Sequence, residues 1–336
     1  SATLQDIPMP QPLPHECVVK VLIAGVCNTD LEIMKGYMGF KGVVGHEFVG
    51  LVETAPPGKE HLIGKRVVGD INLICPDQAT ACFTCQCGGA RMRNHCTTRT
   101  VLGILNKDGT YQERLTLPAA NLHVVPDNVS TENAAFAEPL AAAFRIPEQQ
   151  LISHGDKIAI VGDGKLGLLI AEVLGRHAAK LSVEAKRGSG SGTPKPVLFG
   201  RHQDKMALLS SAAGVETRPS EAALPASAAG FDVVVDATGS PAGLDLARAL
   251  CRPLGTLILK STCAAGTDFN TAPFVVDELR IIGSRCGPFP PALELLATGL
   301  DLTKLITATY PLSEVAEAIK KAGTKGTMKV QLRVSE

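Results

Sequence analysis

Two short stretches of the chain carry side chains suited to metal chemistry. Cys27 opens Cys27-Asn28-Thr29-Asp30, His46 and Glu47 follow in Gly45-His46-Glu47, and Glu138 lies further on within AEPLA. A thiolate, an imidazole and carboxylates together suit Zn²⁺, and three protein ligands leave one position open for water or substrate. Each residue also has an ordinary use: Cys27 as a small core residue, His46 as a hydrogen-bonded core histidine, Glu138 as an acid in a helix's first turn. Five of the ten cysteines, Cys75, Cys82, Cys85, Cys87 and Cys96, crowd into one segment. A secreted disulfide scaffold is usually smaller and carries an export signal, so such a cluster reads first as metal ligation.

A second constellation is a nucleotide turn. Gly162-Asp163-Gly164-Lys165-Leu166-Gly167 follows the strand-like KIAIV and opens a helical stretch. Glycines at that spacing permit a tight turn and close backbone approach to a pyrophosphate, while the helix N-terminus offers N–H groups and a positive dipole end. An NAD site usually places Asp or Glu at the end of the following strand to hold the ribose 2′-OH. Here PVLF ends in Gly200-Arg201-His202, with Lys205 beyond. With no carboxylate at that strand end and Arg201 able to hold a 2′-phosphate, the expectation is NADP(H) over NAD(H). Thr238-Gly239, after VVVDA, is expected to approach the nicotinamide ribose. Ser284, Arg285 and Cys286 follow a further strand and are placed to line a cleft at the strands' carboxyl ends. Lys329, in the last strand, reads as an ordinary exposed lysine, with a phosphate contact as the alternative.

The elements that must hold these residues fall into two kinds. Residues 1 to about 127 are rich in Gly, Pro and β-branched residues, with ECVVKVLIAGV, GVVGHEFVGLVET and GKRVVGDINLI as strands, and predict an antiparallel, barrel-like β domain. TENAAFAEPLAAAFRI is helical. From Lys157 onward KIAIVG, PVLFG, FDVVVDATG, GTLILK and LRIIGS alternate with helical KLGLLIAEVLGRHAAKL, QDKMALLSSAAG and SPAGLDLARALC, which predicts a doubly wound α/β sheet. Residues 185–196 read as a surface loop, and MKVQLRV as a last strand returning to the β domain.

The chain's 336 residues allow about two domains at roughly 150 residues each. With 45% hydrophobic and 20% charged residues the composition is globular, and 33 basic residues balance 33 acidic ones. That neutrality argues against a nucleic-acid or anionic-membrane binder, which needs a basic face. No run approaches the roughly 18 to 20 apolar residues of a membrane span. The start, SATLQDIPMPQPLPHE, has neither a basic nor an apolar signal region, so the expected location is the cytoplasm, or an organelle if a transit peptide preceded Ser1.

GVCNTD, GHEFVG, the cysteine lobe after GDIN, AEPLAAAFR, the GxGxxG helix and VVVDATG follow one another in the order and approximate spacing of zinc-containing medium-chain alcohol dehydrogenases. The resemblance covers almost the whole chain, and the Glu of AEPLA is most similar to the polyol and threonine dehydrogenase branch. It implies an α/β protein with a GroES-like β-barrel catalytic domain (1–143 and 287–336, with a lobe at about 75–96) and a doubly wound Rossmann coenzyme domain (144–286). It further implies a catalytic zinc on Cys27, His46 and Glu47, with Glu138 a fourth ligand or a nearby exchanging carboxylate. A structural zinc would sit on Cys75, Cys82, Cys85 and Cys96, with Cys87 the alternative to Cys75; the intervals beside the CxxC are longer than the family's usual ones. The implied reaction passes hydride between a small-molecule alcohol and C4 of a nicotinamide, with zinc as Lewis acid and Thr29 taking the substrate proton. Glu32 stands where many relatives carry a histidine that ends the proton relay. The alternatives are an NADPH-dependent aldehyde or ketone reductase on the same site and a non-catalytic nucleotide-binding protein. A homodimer or homotetramer is expected from the resemblance.

Overall fold

The computed structural model describes residues 3–74, 94–96, 98–149, 151–187, 192–222, 230–261 and 270–335. The chain divides into two compact units, one built from Ser1–Glu138 with Phe289–Glu336 and the other from Pro139–Pro288.

The first unit is organised by one long strand. β1 (Glu16–Val26, ECVVKVLIAGV) is rich in β-branched residues and buried along nearly its whole length, as a strand covered on both faces should be. Around it run β2 (Glu47–Thr54), β3 (Arg66–Gly69), β4 (Asn72–Leu73), β5 (Thr100–Leu102), β6 (Asn106–Lys107), β7 (Arg114–Pro118) and β8 (Leu122–Val124). β1 pairs antiparallel with both β2 and β7. β2, β3 and β8 continue the same seven-stranded sheet, while β4, β5 and β6 form a three-stranded one. Among the described residues before 127 the longest helix has seven residues, Asn28–Met34.

The second unit is a six-stranded parallel sheet. Its strands are β9 (Ile158–Val161), β10 (Val197–Gly200), β11 (Glu216–Pro219), β12 (Phe231–Asp236), β13 (Cys251–Leu259) and β14 (Arg280–Gly283), in the order β11-β10-β9-β12-β13-β14. The order reverses direction at β9, which is the doubly wound arrangement. IAIV and VLFG are buried throughout, so they read as continuous apolar runs rather than alternating ones. Ala159, Val161, Phe199, Val234 and Leu257 share one core cluster.

Two local expectations change. The helix after the glycine turn runs to Arg187 and so takes the start of the 185–196 stretch; SVEAKR is made of residues a helix tolerates well. QDKMALLSSAAG is helical only over Gln203–Met206 and as a short turn at Ser211–Ala213. The buried Glu172 explains the break: its carboxylate accepts from Ser210 N at 2.6 Å, holding that segment out of helical register.

The chain then returns to the first unit. β15 (Ile306–Pro311) pairs parallel with β16 (Lys329–Arg333), and β16 pairs antiparallel with β1. Among the described residues no helix is long and apolar enough to cross a membrane.

Candidate metal centre and nucleotide turn

Two strands bring the candidate metal-ligating side chains together, and a third flanks them. β1 ends at Val26, and Cys27 is the N-cap of the helix Asn28–Met34, its N–H donating to Asp30 Oδ2 at 2.9 Å. The capping box fixes the backbone from which the thiol projects. The β1–β2 register sets Glu47 opposite Gly25, with His46 one residue earlier. β16 flanks β1 on its other side, starting at Lys329. A side chain at position 25 would displace the ends of Glu47 and Lys329, because its Cβ would lie 2.5 Å from Glu47 Oε2 and 2.8 Å from Lys329 Nζ. One donor atom from each of Cys27, His46 and Glu47 lies within 4.8 Å of the other two.

The surroundings suit a cation. Asp30 is fully buried, with Oδ1 3.1 Å from His46 Nδ1 and Oδ2 accepting from the Tyr111 hydroxyl at 2.8 Å. Asp30 faces Nδ1, which leaves Nε2 of His46 for a metal, the usual carboxylate–histidine arrangement of a zinc site. Burial pulls the His46 pKa down, but the charges of Asp30 and Cys27 outweigh it and hold the imidazole well above its ordinary range. Burial works to raise Asp30, and His46, the Cys27 amide and Tyr111 outweigh it and lower it. Lys329, expected at the surface, is fully buried, its ammonium against the Glu47 carboxylate. Burial brings its pKa down to about 8 against the opposing pull of Cys27 and Asp30. A sulfur, a nitrogen and an oxygen donor at this spacing fit Zn²⁺, and the Asp30 carboxylate behind His46 supplies negative charge that offsets part of the cost of burying a cation there.

These pKa directions make metal uptake pH-dependent. With its pKa raised, the His46 imidazole must give up a proton to ligate, so metal binding competes with its protonation. Zinc affinity is therefore expected to rise as pH increases through the neutral range, by up to about tenfold per pH unit for the one proton released by His46. Calorimetry in buffers of differing ionisation enthalpy measures the protons; a zinc Kd flat over that range would contradict the assignment.

The other residues singled out in the sequence fall at varied distances from this cluster. Thr29 Oγ1 lies 3.8 Å from Cys27 Sγ. Glu138 is the half-buried second residue of the helix Ala137–Glu148 and stands outside the three-donor cluster. Glu32 is paired with Lys35 at 2.9 Å on the surface rather than joined to the centre. Cys96 is buried beside Thr98, Sγ to Oγ1 3.4 Å, while Cys75, Cys82, Cys85 and Cys87 lie outside the described residues. Asp30, Tyr111 and Lys329 are the residues that sequence reasoning missed. Asp30 had a local signal, an acid three residues after a helix cap; the other two had none.

The glycine turn lies between β9 and the helix Lys165–Arg187. Gly162 has φ +116°, and a Cβ on Gly167 would lie 1.8 Å from the Gly162 carbonyl oxygen, so both positions need glycine. Lys165 and Leu166 open the helix. Thr238 N and Oγ1 both donate to Asp236 Oδ1, at 2.9 and 2.7 Å, and Gly239 turns the chain with φ +67°. Ser284 is buried and lies 3.3 Å from Lys260 Nζ, and Arg285 and Cys286 follow it. Arg201 is exposed and Lys205 half-buried on the next helical turn. The end of β10 does hold a carboxylate, contrary to expectation. Asp163 reaches across, its Oδ2 accepting from Arg201 N at 2.7 Å, His202 N at 2.5 Å and His202 Nδ1 at 3.0 Å. The NADP preference argued from that absence loses its premise.

Replacing Gly167 by valine is expected to abolish dinucleotide binding. Its branched side chain has no space against the Gly162 carbonyl, so the turn must open. Fluorescence titration with reduced dinucleotide checks this; binding within threefold of wild type would show that the turn is not the site.

Comparison with known proteins agrees with both halves of this description. Residues 13–127 match the alcohol dehydrogenase GroES-like domain family. D-altritol 5-dehydrogenase of Agrobacterium fabrum is 28% identical, over 98% of this chain and 96% of the relative. The crystal structure, bound to NADP, of a Sinorhizobium meliloti protein assigned as a zinc-binding dehydrogenase is 26% identical with TM-score 0.80, covering 98% of this chain and 95% of the other. RspB of Escherichia coli CFT073, an alcohol dehydrogenase complexed with NADH, is 25% identical with TM-score 0.78, covering 97% and 94%. Residues 13–127 carry the alcohol dehydrogenase GroES-like domain, and the chain is an oxidoreductase similar, along almost its whole length, to zinc-type alcohol and polyol dehydrogenases in sequence and in fold.

Proposed function

We propose that the protein interconverts a secondary alcohol or polyol and its carbonyl compound, passing hydride to or from a nicotinamide dinucleotide, with Cys27, His46 and Glu47 as ligands of a catalytic zinc. The convergence of those three donors within 4.8 Å carries this reading. Relatives that act on D-altritol and sorbitol support the substrate class. Zinc, when bound, supplies Lewis acidity toward the substrate oxygen and makes its proton easier to lose.

The chain's own groups do the rest. Asp30, held by Tyr111 and by the Cys27 amide, fixes the tautomer and direction of His46. Thr29, two residues from Cys27, is the hydroxyl placed to receive the substrate proton. Glu138 serves as a further carboxylate for the centre. The turn Gly162–Gly167 and the helix it opens bind the pyrophosphate, and Thr238-Gly239 meets the nicotinamide ribose. Cys96, with Cys75, Cys82 and Cys85, would form a closed structural zinc site that contributes folding free energy rather than chemistry.

The test is a crossed assay. Zinc-loaded protein meets simple alcohols, polyols and β-hydroxy acids with NAD and with NADP, and the matching aldehydes and ketones with the reduced cofactors. Nicotinamide absorbance should change for polyols or secondary alcohols and fall to background after chelation. No turnover in either direction, with zinc confirmed bound, would sink the reading.

A further inference from the structure

We propose that Asp163, inside the glycine turn, is the residue that selects the cofactor: its carboxylate reads the adenosine ribose and favours NAD(H) over NADP(H). The inference rests on the dinucleotide reading above and goes beyond it, since the residue type at the end of β10 argues for the opposite choice.

The case begins with space. A Cβ on Gly200 would lie 2.6 Å from Asp163 Cβ and 2.8 Å from Asp163 Oδ2. The Asp163 side chain therefore fills the volume that a side chain at the last position of the second strand would occupy. Doubly wound NAD sites place an acid there to hold the ribose hydroxyls. In this chain the acid comes from the first strand's turn, and the second strand ends in glycine to make room. Neither change works without the other.

Hydrogen bonding then fixes the carboxylate's direction. All three donors that meet Asp163, the amides of Arg201 and His202 and the imidazole Nδ1 of His202, converge on Oδ2. Oδ1 accepts from none of the described residues, so it is the oxygen left for a ligand hydroxyl. Asp163 is also largely buried, and burial alone would raise its pKa. The His202 amide and ring and the Arg201 amide outweigh that and keep it low, so the group is an anion at working pH.

Two consequences follow for a 2′-phosphate. The backbone amides that could receive its oxygens are already taken by Oδ2. Its own negative charge would also stand beside a fixed carboxylate in partly desolvated surroundings, where like charges repel most strongly. A ribose hydroxyl meets neither obstacle and can donate to Oδ1. Arg201, exposed beyond this network, offsets part of the repulsion, so discrimination is finite.

The experiment is direct titration of the folded protein with NADH and NADPH, read by cofactor fluorescence and calorimetry without substrate. Wild type is expected to bind NADH at least about tenfold more tightly than NADPH. Asp163→Asn keeps the shape and an acceptor for the amides but removes the charge; it should gain NADPH affinity and cut the ratio by about tenfold. Arg201→Ala should weaken NADPH while leaving NADH within about twofold. A wild type that prefers NADPH overturns the proposal, as does an Asn variant that loses both cofactors equally, which would make Asp163 a pin for the turn and nothing more. Folded wild type that binds neither dinucleotide removes the dinucleotide reading and the proposal with it, a result readily told apart from a reversed preference.

Discussion

Replacing Cys27 by serine is expected to lower kcat/KM by at least about a thousandfold, roughly 4 kcal/mol of transition-state stabilisation. The thiolate supplies one of three protein donors to the proposed zinc and is its only soft ligand. A serine hydroxyl is of similar size but is not ionised at neutral pH, and the two remaining donors hold zinc poorly. The structural part of Cys27 is carried by its backbone: the N–H that donates to Asp30 and starts the helix survives the substitution. The variant should therefore fold, melt within a few degrees of wild type and bind dinucleotide normally, while losing zinc stoichiometry and activity together. Zinc content, thermal midpoint and cofactor titration on one preparation separate these effects. A serine variant that retains stoichiometric zinc and a tenth of the activity would show that the thiolate has been assigned the wrong role.

The features legible in the sequence are those encoded within a few residues. Cys27 and His46-Glu47 announce themselves by residue type, and the glycine turn by its spacing between an apolar run and a helix, because the backbone demands at Gly162 and Gly167 are local. Alternation of buried strands and helices gave the parallel sheet for the same reason. What escaped notice depends on pairings between distant segments. Lys329 looks like any lysine in a terminal strand; only the β16–β1 and β1–β2 registers place its ammonium against Glu47. Tyr111 sits just before β7, and nothing in GTYQER says that its hydroxyl meets Asp30. Asp163 was in plain view within the motif, yet its relevance to the end of β10 required knowing that a glycine there leaves room for it. Charged side chains that act across strands are thus the systematic gap in a reading by motif, since neither propensity nor periodicity encodes their partners.

Lys329 supplies the second large effect, and its sign depends on the metal. The ammonium is fully buried against a carboxylate that is itself only 1% exposed. Removing one member of such a pair leaves the other charged and without compensation, a loss of about 3–5 kcal/mol. Lys329→Met is therefore expected to lower the melting temperature of the metal-free protein by on the order of 10 °C. Zinc changes the balance. It is a competing cation for the same Glu47, so the methionine variant should bind zinc more tightly than wild type and recover most of its lost stability when loaded. Lowering the pH should also shrink the metal-free deficit, because protonating the stranded carboxylate removes the uncompensated charge. Combining Lys329→Met with Glu47→Leu should restore metal-free stability, since apolar residues of similar volume replace a buried ion pair at little cost, while abolishing the gain in zinc affinity. Thermal melts of the two single variants and the double variant, with chelator and with zinc, complete the cycle. A metal-free Lys329→Met protein within 1 kcal/mol of wild type would mean that the pair does not hold the centre together.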